Sequence, residues 1–197
     1  DFYVLENGDV YIVFESKVAL TTGGTTSLLA VVDVTTGVPT CVDSTLDSVR
    51  SSLGQNDNVN SPIQTDASGA IYYAGYSGSS TVLRKAKNGV TTDLINANIS
   101  LRNFIVQSDG TVIIAGSTGS TGVSWLRRIS PSGGLKNLAI TYVGFLWEFA
   151  DGKVYAGAMR DSMYGIKRYS TDLDALEDKY WITGNSDFVT QDSHFTV

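Results

Sequence analysis

Residues 107–135 read QSDGTVIIAGSTGSTGVSWLRRISPSGGL. The stretch holds two apolar β runs, two tight-turn signals and one loose Gly/Ser/Thr segment. Nothing in it points to catalysis. Extended slightly at both ends, it resolves into four strands. NFIVQ (103–107) is strand a, SDG a tight turn, TVIIA (111–115) strand b and GSTGSTG a connection. VSWLRRI (123–129) is then strand c, SPSGG a second turn and LKNLAI (135–140) strand d. Four antiparallel strands in about 42 residues are the signature of a β-propeller blade. Strand b is a near-continuous apolar run. A sheet with one wet face would alternate, so this sheet is expected to be buried on both faces.

The unit recurs. DASGAIYYAGY (66–76) and DGKVYAGAM (151–159) match SDGTVIIAGS (108–117). Gly69, Gly110 and Gly152 are spaced by 41 and 42 residues, and Gly75, Gly116 and Gly157 by 41 and 41. Downstream, VLRKAKNG (82–89), WLRRISPSG (125–133) and GIKRYSTD (165–172) align in the same register. NSPIQTDAS (60–68) returns as NSDFVTQDS (185–193), 125 residues later, which is three periods. The first unit is irregular, with 61 residues between Gly8 and Gly69. Its strands a, b and c are FYVLE (2–6), DVYIVF (9–14) and SLLAVVDV (27–34), and the surplus falls in an insertion at 40–60. There Ser44 and Asp47 make a Ser-x-x-Asp start, Leu46, Val49 and Leu53 sit at helical spacing, and Gly54 can end a turn. A short helix at about 45–53 is predicted on that pattern.

The expected fold is therefore all-β, a propeller or part of a larger one. Its units are about 1–59, 60–101, 102–143 and 144–184, with 185–197 as a partial fifth. A β-sandwich or stacked β solenoid is the competing arrangement. Gln-Ser-Asp-Gly, Val-Ile-Ile-Ala-Gly and Leu-Arg-Arg-Ile-Ser-Pro-Ser-Gly-Gly-Leu, all within 107–135, together resemble the delta-sixty repeat. That repeat builds propellers in bacterial surface proteins and in some phage tail and fibre proteins. The likeness is good in the third unit, fair in the second and fourth, and poor in the first, and the repeats here are shorter. It implies architecture and a surface or virion setting, and it carries no catalytic residue.

Composition agrees with an all-β chain. Of 197 residues, 42% are hydrophobic, and sixteen Asp stand against four Glu, the turn former outnumbering the helix former. The net charge is −6 and no Lys/Arg run exceeds two, so a nucleic-acid partner is not expected. No apolar run approaches 18 residues, and no membrane-spanning helix is expected. The chain opens on DFYVLENG, already in β pattern, which reads as a processed or excised piece. Cys41 is the sole cysteine, so an intrachain disulfide or a multi-thiolate metal site is not possible. No cofactor and no metal are expected.

Basic pairs recur in strand c: Arg84-Lys85, Arg127-Arg128 and Lys167-Arg168. One member of each pair should pack between blades, so Arg84, Arg127, Arg128 and Arg168 are candidates for blade contacts, with an anion-binding ring as the alternative. The turn residues Asp66, Asp109 and Asp151 are candidates to receive them, and Asp beside Gly in a turn needs no metal. Glu148 interrupts the repeat beside Trp147, but glycoside hydrolysis usually needs two carboxylates and no partner is evident. His194 is the lone histidine and stands at a turn position.

The b–c connections and d–a links should share one end of each blade. Tyr76, Tyr142, Arg160, Asp161, Tyr164 and Trp181 fall there, and loops on a rigid scaffold commonly carry binding. The expected function is non-enzymatic recognition or scaffolding at a virion appendage or bacterial surface, extracellular, through protein or glycan binding at that loop face. One alternative is an assembly subunit completed by strand pairing with another chain. The other is a carbohydrate-active enzyme using Glu148.

Overall fold

The computed structural model describes residues 1–5, 7–21, 26–51, 61–118, 123–140, 146–148, 153–160, 163–170, 173 and 176–182. Among them are seventeen β-strands and no helix. All sheets are antiparallel. The first is β1 (Phe2–Val4), β2 (Val10–Ala19), β3 (Thr26–Val32) and β4 (Pro39–Asp43), in that spatial order. In the second, β5 (Ser48–Val49) and β6 (Ile63–Thr65) both pair with β7 (Ile71–Ser77), followed by β8 (Ser80–Lys87) and β9 (Val90–Ala97). The third is β10 (Ile99–Val106), β11 (Val112–Thr118), β12 (Val123–Ile129) and β13 (Leu135–Ile140). The fourth is β14 (Leu146–Glu148), β15 (Val154–Arg160), β16 (Met163–Tyr169) and β17 (Leu176–Ile182). The expected partial fifth unit lies outside the described residues.

The chain divides into two compact units, Asp1–Ser51 with Ser61–Asn98, and Ser52–Asn60 with Ile99–Val197. The first unit holds the first two sheets. Tyr11, Val13 and Leu29 of one pack with Leu46, Val49, Ile63, Tyr73 and Val82 beside the other. The second unit holds the third and fourth sheets. There Ile105, Ile113, Ala115 and Leu126 pack with Leu146, Val154, Ala156 and Tyr169.

The second strand of the repeat explains this layering. Neighbours on a strand point to opposite faces. Yet Tyr72 and Tyr73 are both 0% exposed, as are Ile113 and Ile114. Both faces of β7 and β11 are therefore covered, and an unbroken apolar run is what such a strand requires. Each such side chain contributes roughly 1.5–3 kcal/mol on burial.

Turn chemistry sets the register. The Gly69 amide donates to the Asp66 carbonyl at 3.0 Å while the Asp66 amide donates to the Ala70 carbonyl at 3.2 Å. The same pair of bonds closes 107–111, where Gly110 donates to Gln107 at 2.9 Å and Gln107 to Thr111 at 2.8 Å. This is a three-residue hairpin whose last loop position is left-handed, and Gly69 and Gly110 take it at φ 74° and 86°.

The helix expected at 45–53 is not formed. Residues 45–47 are a bend, Ser48–Val49 is β5, and 52–53 lie outside the described residues. The segment hydrogen-bonds along the edge of β7 instead. The Asp47 amide donates to the Tyr76 carbonyl at 2.9 Å and the Arg50 amide to the Ala74 carbonyl at 2.8 Å. Leu46 and Val49 are both buried, but in an extended chain against Tyr73 and Val82. The physical reason lies in Pro62. It has no amide proton, so the ladder begins only at Ile63, and β6 covers no more than Ile71–Tyr73 of β7. The insertion pairs with the remaining edge. In register, Ser48 and Val49 stand where Ser100 and Leu101 stand in the third sheet.

Candidate functional site

The strongest polar constellation sits between the first two sheets. Asp43, at the end of β4, has a fully buried carboxylate. Its Oδ2 accepts from the Tyr73 hydroxyl at 2.7 Å and from Arg84 Nη1 at 2.8 Å. Its Oδ1 accepts from the Thr45 amide at 2.7 Å and the Thr45 hydroxyl at 2.8 Å. Arg84 Nε donates to Asp93 Oδ1 at 2.7 Å and Nη1 to Thr45 Oγ1 at 2.5 Å. Burial would raise the Asp43 pKa, but the bonds from Tyr73, Thr45 and Arg84 outweigh it and hold the carboxyl below its ordinary range. Burial, with the Asp43 hydrogen bond and charge, pushes the Tyr73 phenol up, so it stays a donor. Both oxygens of the buried Asp43 carboxylate are fully engaged within the cluster. It fastens one sheet to the next.

The turn carboxylates act inside their own sheets. Asp66 Oδ1 accepts from the Ser68 amide at 2.8 Å, the Ser68 hydroxyl at 2.5 Å and the Ala70 amide at 3.0 Å. Its Oδ2 takes the Tyr72 hydroxyl at 2.9 Å, with Lys85 Nζ at 3.5 Å. Burial opposes ionisation, and these donors more than offset it, bringing the pKa down to about 2. The unfolded chain binds this proton more tightly. The stability from Asp66 is therefore complete above about pH 4 and is lost as pH falls towards 2. Thermal melts of Asp66→Asn should show a flatter pH dependence in that window than the parent. An identical slope would remove Asp66 from the acid response. Asp109 accepts from the Thr111 amide at 2.8 Å and its hydroxyl at 3.0 Å. Asp151 lies outside the described residues.

The exposed chemistry lies at the other end of the second sheet. Tyr76 is 40% exposed, and the Arg50 guanidinium carbon stands 5.9 Å from its ring centroid. The adjoining hairpin is anchored by the Gly78 amide donating to Asp47 Oδ2 at 2.5 Å, and Tyr3 donates its hydroxyl to the Ser51 carbonyl. An aromatic face beside a guanidinium on a fixed backbone can stack a sugar ring or seat a protein side chain. Arg50 was not legible as a site residue, because its place depends on β5.

The other candidates are placed as follows. Arg160 and Tyr164 stand in β15 and β16 beside the connection at 161–162, and Trp181 in β17 pairs with Gly165. Glu148 pairs with Val154. Tyr142 and Asp161 lie outside the described residues. The connection after β7 is a two-residue hairpin, with Ser77 paired to Ser80, and Arg160 pairs with Met163 in register. Arg128 Nη2 reaches the Thr111 hydroxyl at 3.5 Å, and Arg168 pairs with Tyr155 across the sheet. Arg127 lies over Trp125. Among the described residues, no three His, Cys, Asp or Glu side chains gather to hold a metal ion.

These features define an all-β protein of four- and five-stranded antiparallel sheets carrying an aromatic–guanidinium surface. No protein-family profile matches the chain. No curated protein matches it either. Among solved structures it is similar to a catalytically inactive virginiamycin B lyase from Staphylococcus aureus, crystallised with quinupristin. That likeness has 13% identity and a TM-score of 0.47, and covers 93% of this chain and 70% of the other. The expectation that the chain is not an enzyme is corrected on this finding, because the similar structure belongs to a lyase. At that distance the likeness carries no reaction, substrate or residue role over to this chain.

Proposed function

We propose that the four sheets are blades of a β-propeller, with 185–197 opening a fifth, and that the protein recognises a protein or glycan through the b–c and d–a end of its blades. The setting would be a virion appendage or a bacterial surface, as the delta-sixty resemblance implies. The observation that carries the reading is the Tyr76–Arg50 pair, held on β7 by main-chain bonds from Asp47 and Arg50. Both groups stand on hydrogen-bonded backbone, so binding would lose little main-chain freedom. Tyr76→Ala and Arg50→Ala should each weaken the best hit of a glycan and surface-protein screen by about tenfold or more, roughly 1.4 kcal/mol. Affinity unchanged in both variants would sink the assignment of this surface.

A second reading, assembly by strand or sheet addition from another chain, has its own support. β5 pairs with the edge of β7 from outside the repeat, which supports completion of a sheet edge by added strands. The first sheet also carries an apolar face. Phe2, Ile12, Ala30 and Cys41 lie in one row, and Val4, Val10, Val32 and Pro39 in another. Phe2 is 73% and Val4 63% exposed. Light scattering separates the readings: a dimer that Phe2→Lys returns to monomer favours assembly, and a monomer at all concentrations removes it.

A further inference from the structure

Arg84 and Arg127 hold the same place in the repeat, and the structure treats them differently. Arg84 pairs in register with Asp93, and Arg127 with Asn137. The position of Asp43, opposite Leu29 on the last strand of the first sheet, is taken by Ile95, opposite Leu83, in the second. Neither carboxylate that neutralises Arg84 is repeated. Arg127 instead stacks on the Trp125 ring, its guanidinium carbon 3.9 Å from the centroid. Among the described residues its Nε is buried without an acceptor, and so is the indole Nε1 of Trp125, a residue only 5% exposed. Burial disfavours the charged guanidinium and lowers its pKa. A planar fork of donors fixed against an aromatic face is pre-set for a planar carboxylate. Of the two cross-strand neighbours of Arg127, Ile114 is buried and Asn137 is exposed.

We propose that Arg127, positioned by Trp125, binds the carboxylate group of a small acidic ligand. The bound group would take the role that Asp93 plays for Arg84. The site is separate from the Tyr76 surface and does not depend on it. It is tested with the whole 197-residue chain in ¹H–¹⁵N correlation spectra, titrated with sodium acetate against sodium chloride at constant ionic strength and neutral pH. The Arg127 Nε–H and Trp125 indole N–H signals should move together and saturate in acetate, and stay still in chloride. Arg127→Gln should abolish the Trp125 response. Asn137→Asp alters only an exposed strand position and supplies the missing carboxylate internally. It should shift both signals without acetate and remove the titration. Equal, unsaturating drift in both salts overturns the proposal, and so does an Asn137→Asp protein that titrates like the parent.

Discussion

Arg84→Ala is expected to cost about 3–5 kcal/mol in urea-induced unfolding, because it strands a carboxylate in the space between two sheets. The Asp43 side chain is fully buried, and Arg84 is its charged partner at 2.8 Å. Tyr73 and Thr45 would still donate to it, but neither carries a charge. The outer arm of the same guanidinium should matter less. The Asp93 carboxylate is 31% exposed, so Asp93→Ala should cost less than about 1 kcal/mol. Arg84→Lys keeps the charge but cannot donate to Asp43, Thr45 and Asp93 in fixed directions, and should fall between the two. The pH dependence carries a sign. Removing Arg84 raises the Asp43 pKa, so the deficit of Arg84→Ala should shrink as pH falls and Asp43 is protonated. In the double variant Asp43→Ala/Arg84→Ala, the loss should be well below the sum of the singles. A single Arg84→Ala loss under 1 kcal/mol, constant with pH, would mean that Asp43 does not depend on it.

What the sequence made legible follows the range of the forces involved. Local pattern placed β12 and β13 residue for residue, because the GSTGSTG segment precedes the first and the SPSGG turn separates the two. The double burial of β7 and β11 was readable from Tyr72-Tyr73 and Ile113-Ile114. The error at 45–53 arose because Leu46 and Val49 suit a helix spacing and a buried edge strand equally well. Pro62 was the available signal, since it shortens β6 and leaves β7 in need of a partner. The Arg84-Lys85 pair was legible as important, but its partner Asp43 lies 41 positions away in sequence and could not be assigned by any local rule. Arg50 and Tyr76 share a surface only because β5 turns back along β7, which again is a long-range fact.

The recurring glycines of the second strand show how a sequence marker becomes a packing constraint, and they give the second large effect. Gly75 and Gly116 were visible as a period; the structure supplies the reason. A Cβ on Gly116 would stand 2.5 and 2.7 Å from the Trp125 ring and 2.8 Å from the Ser100 carbonyl oxygen. A Cβ on Gly75 would collide with the Ser48 carbonyl oxygen and lie 2.6 Å from Leu46. Ser48 and Ser100 occupy the same register position, one supplied by the insertion and one by the regular strand. In both sheets the first strand presses its backbone onto the second, and only hydrogen fits between them. Trp125 is buried, so it has little room to retreat. Gly116→Ala should therefore cost about 1–3 kcal/mol, and Gly116→Val more. Gly75→Ala should cost a similar amount and act locally, freeing β5 from β7. Hydrogen exchange would then show faster exchange at the Asp47 and Arg50 amides, while β11 amides keep their protection. Both effects are steric. Gly116→Ala with Trp125→Leu should recover part of the loss, since the ring that meets the new methyl group is gone. No recovery in that pair would place the cost on the Ser100 backbone instead, which no side-chain change can relieve.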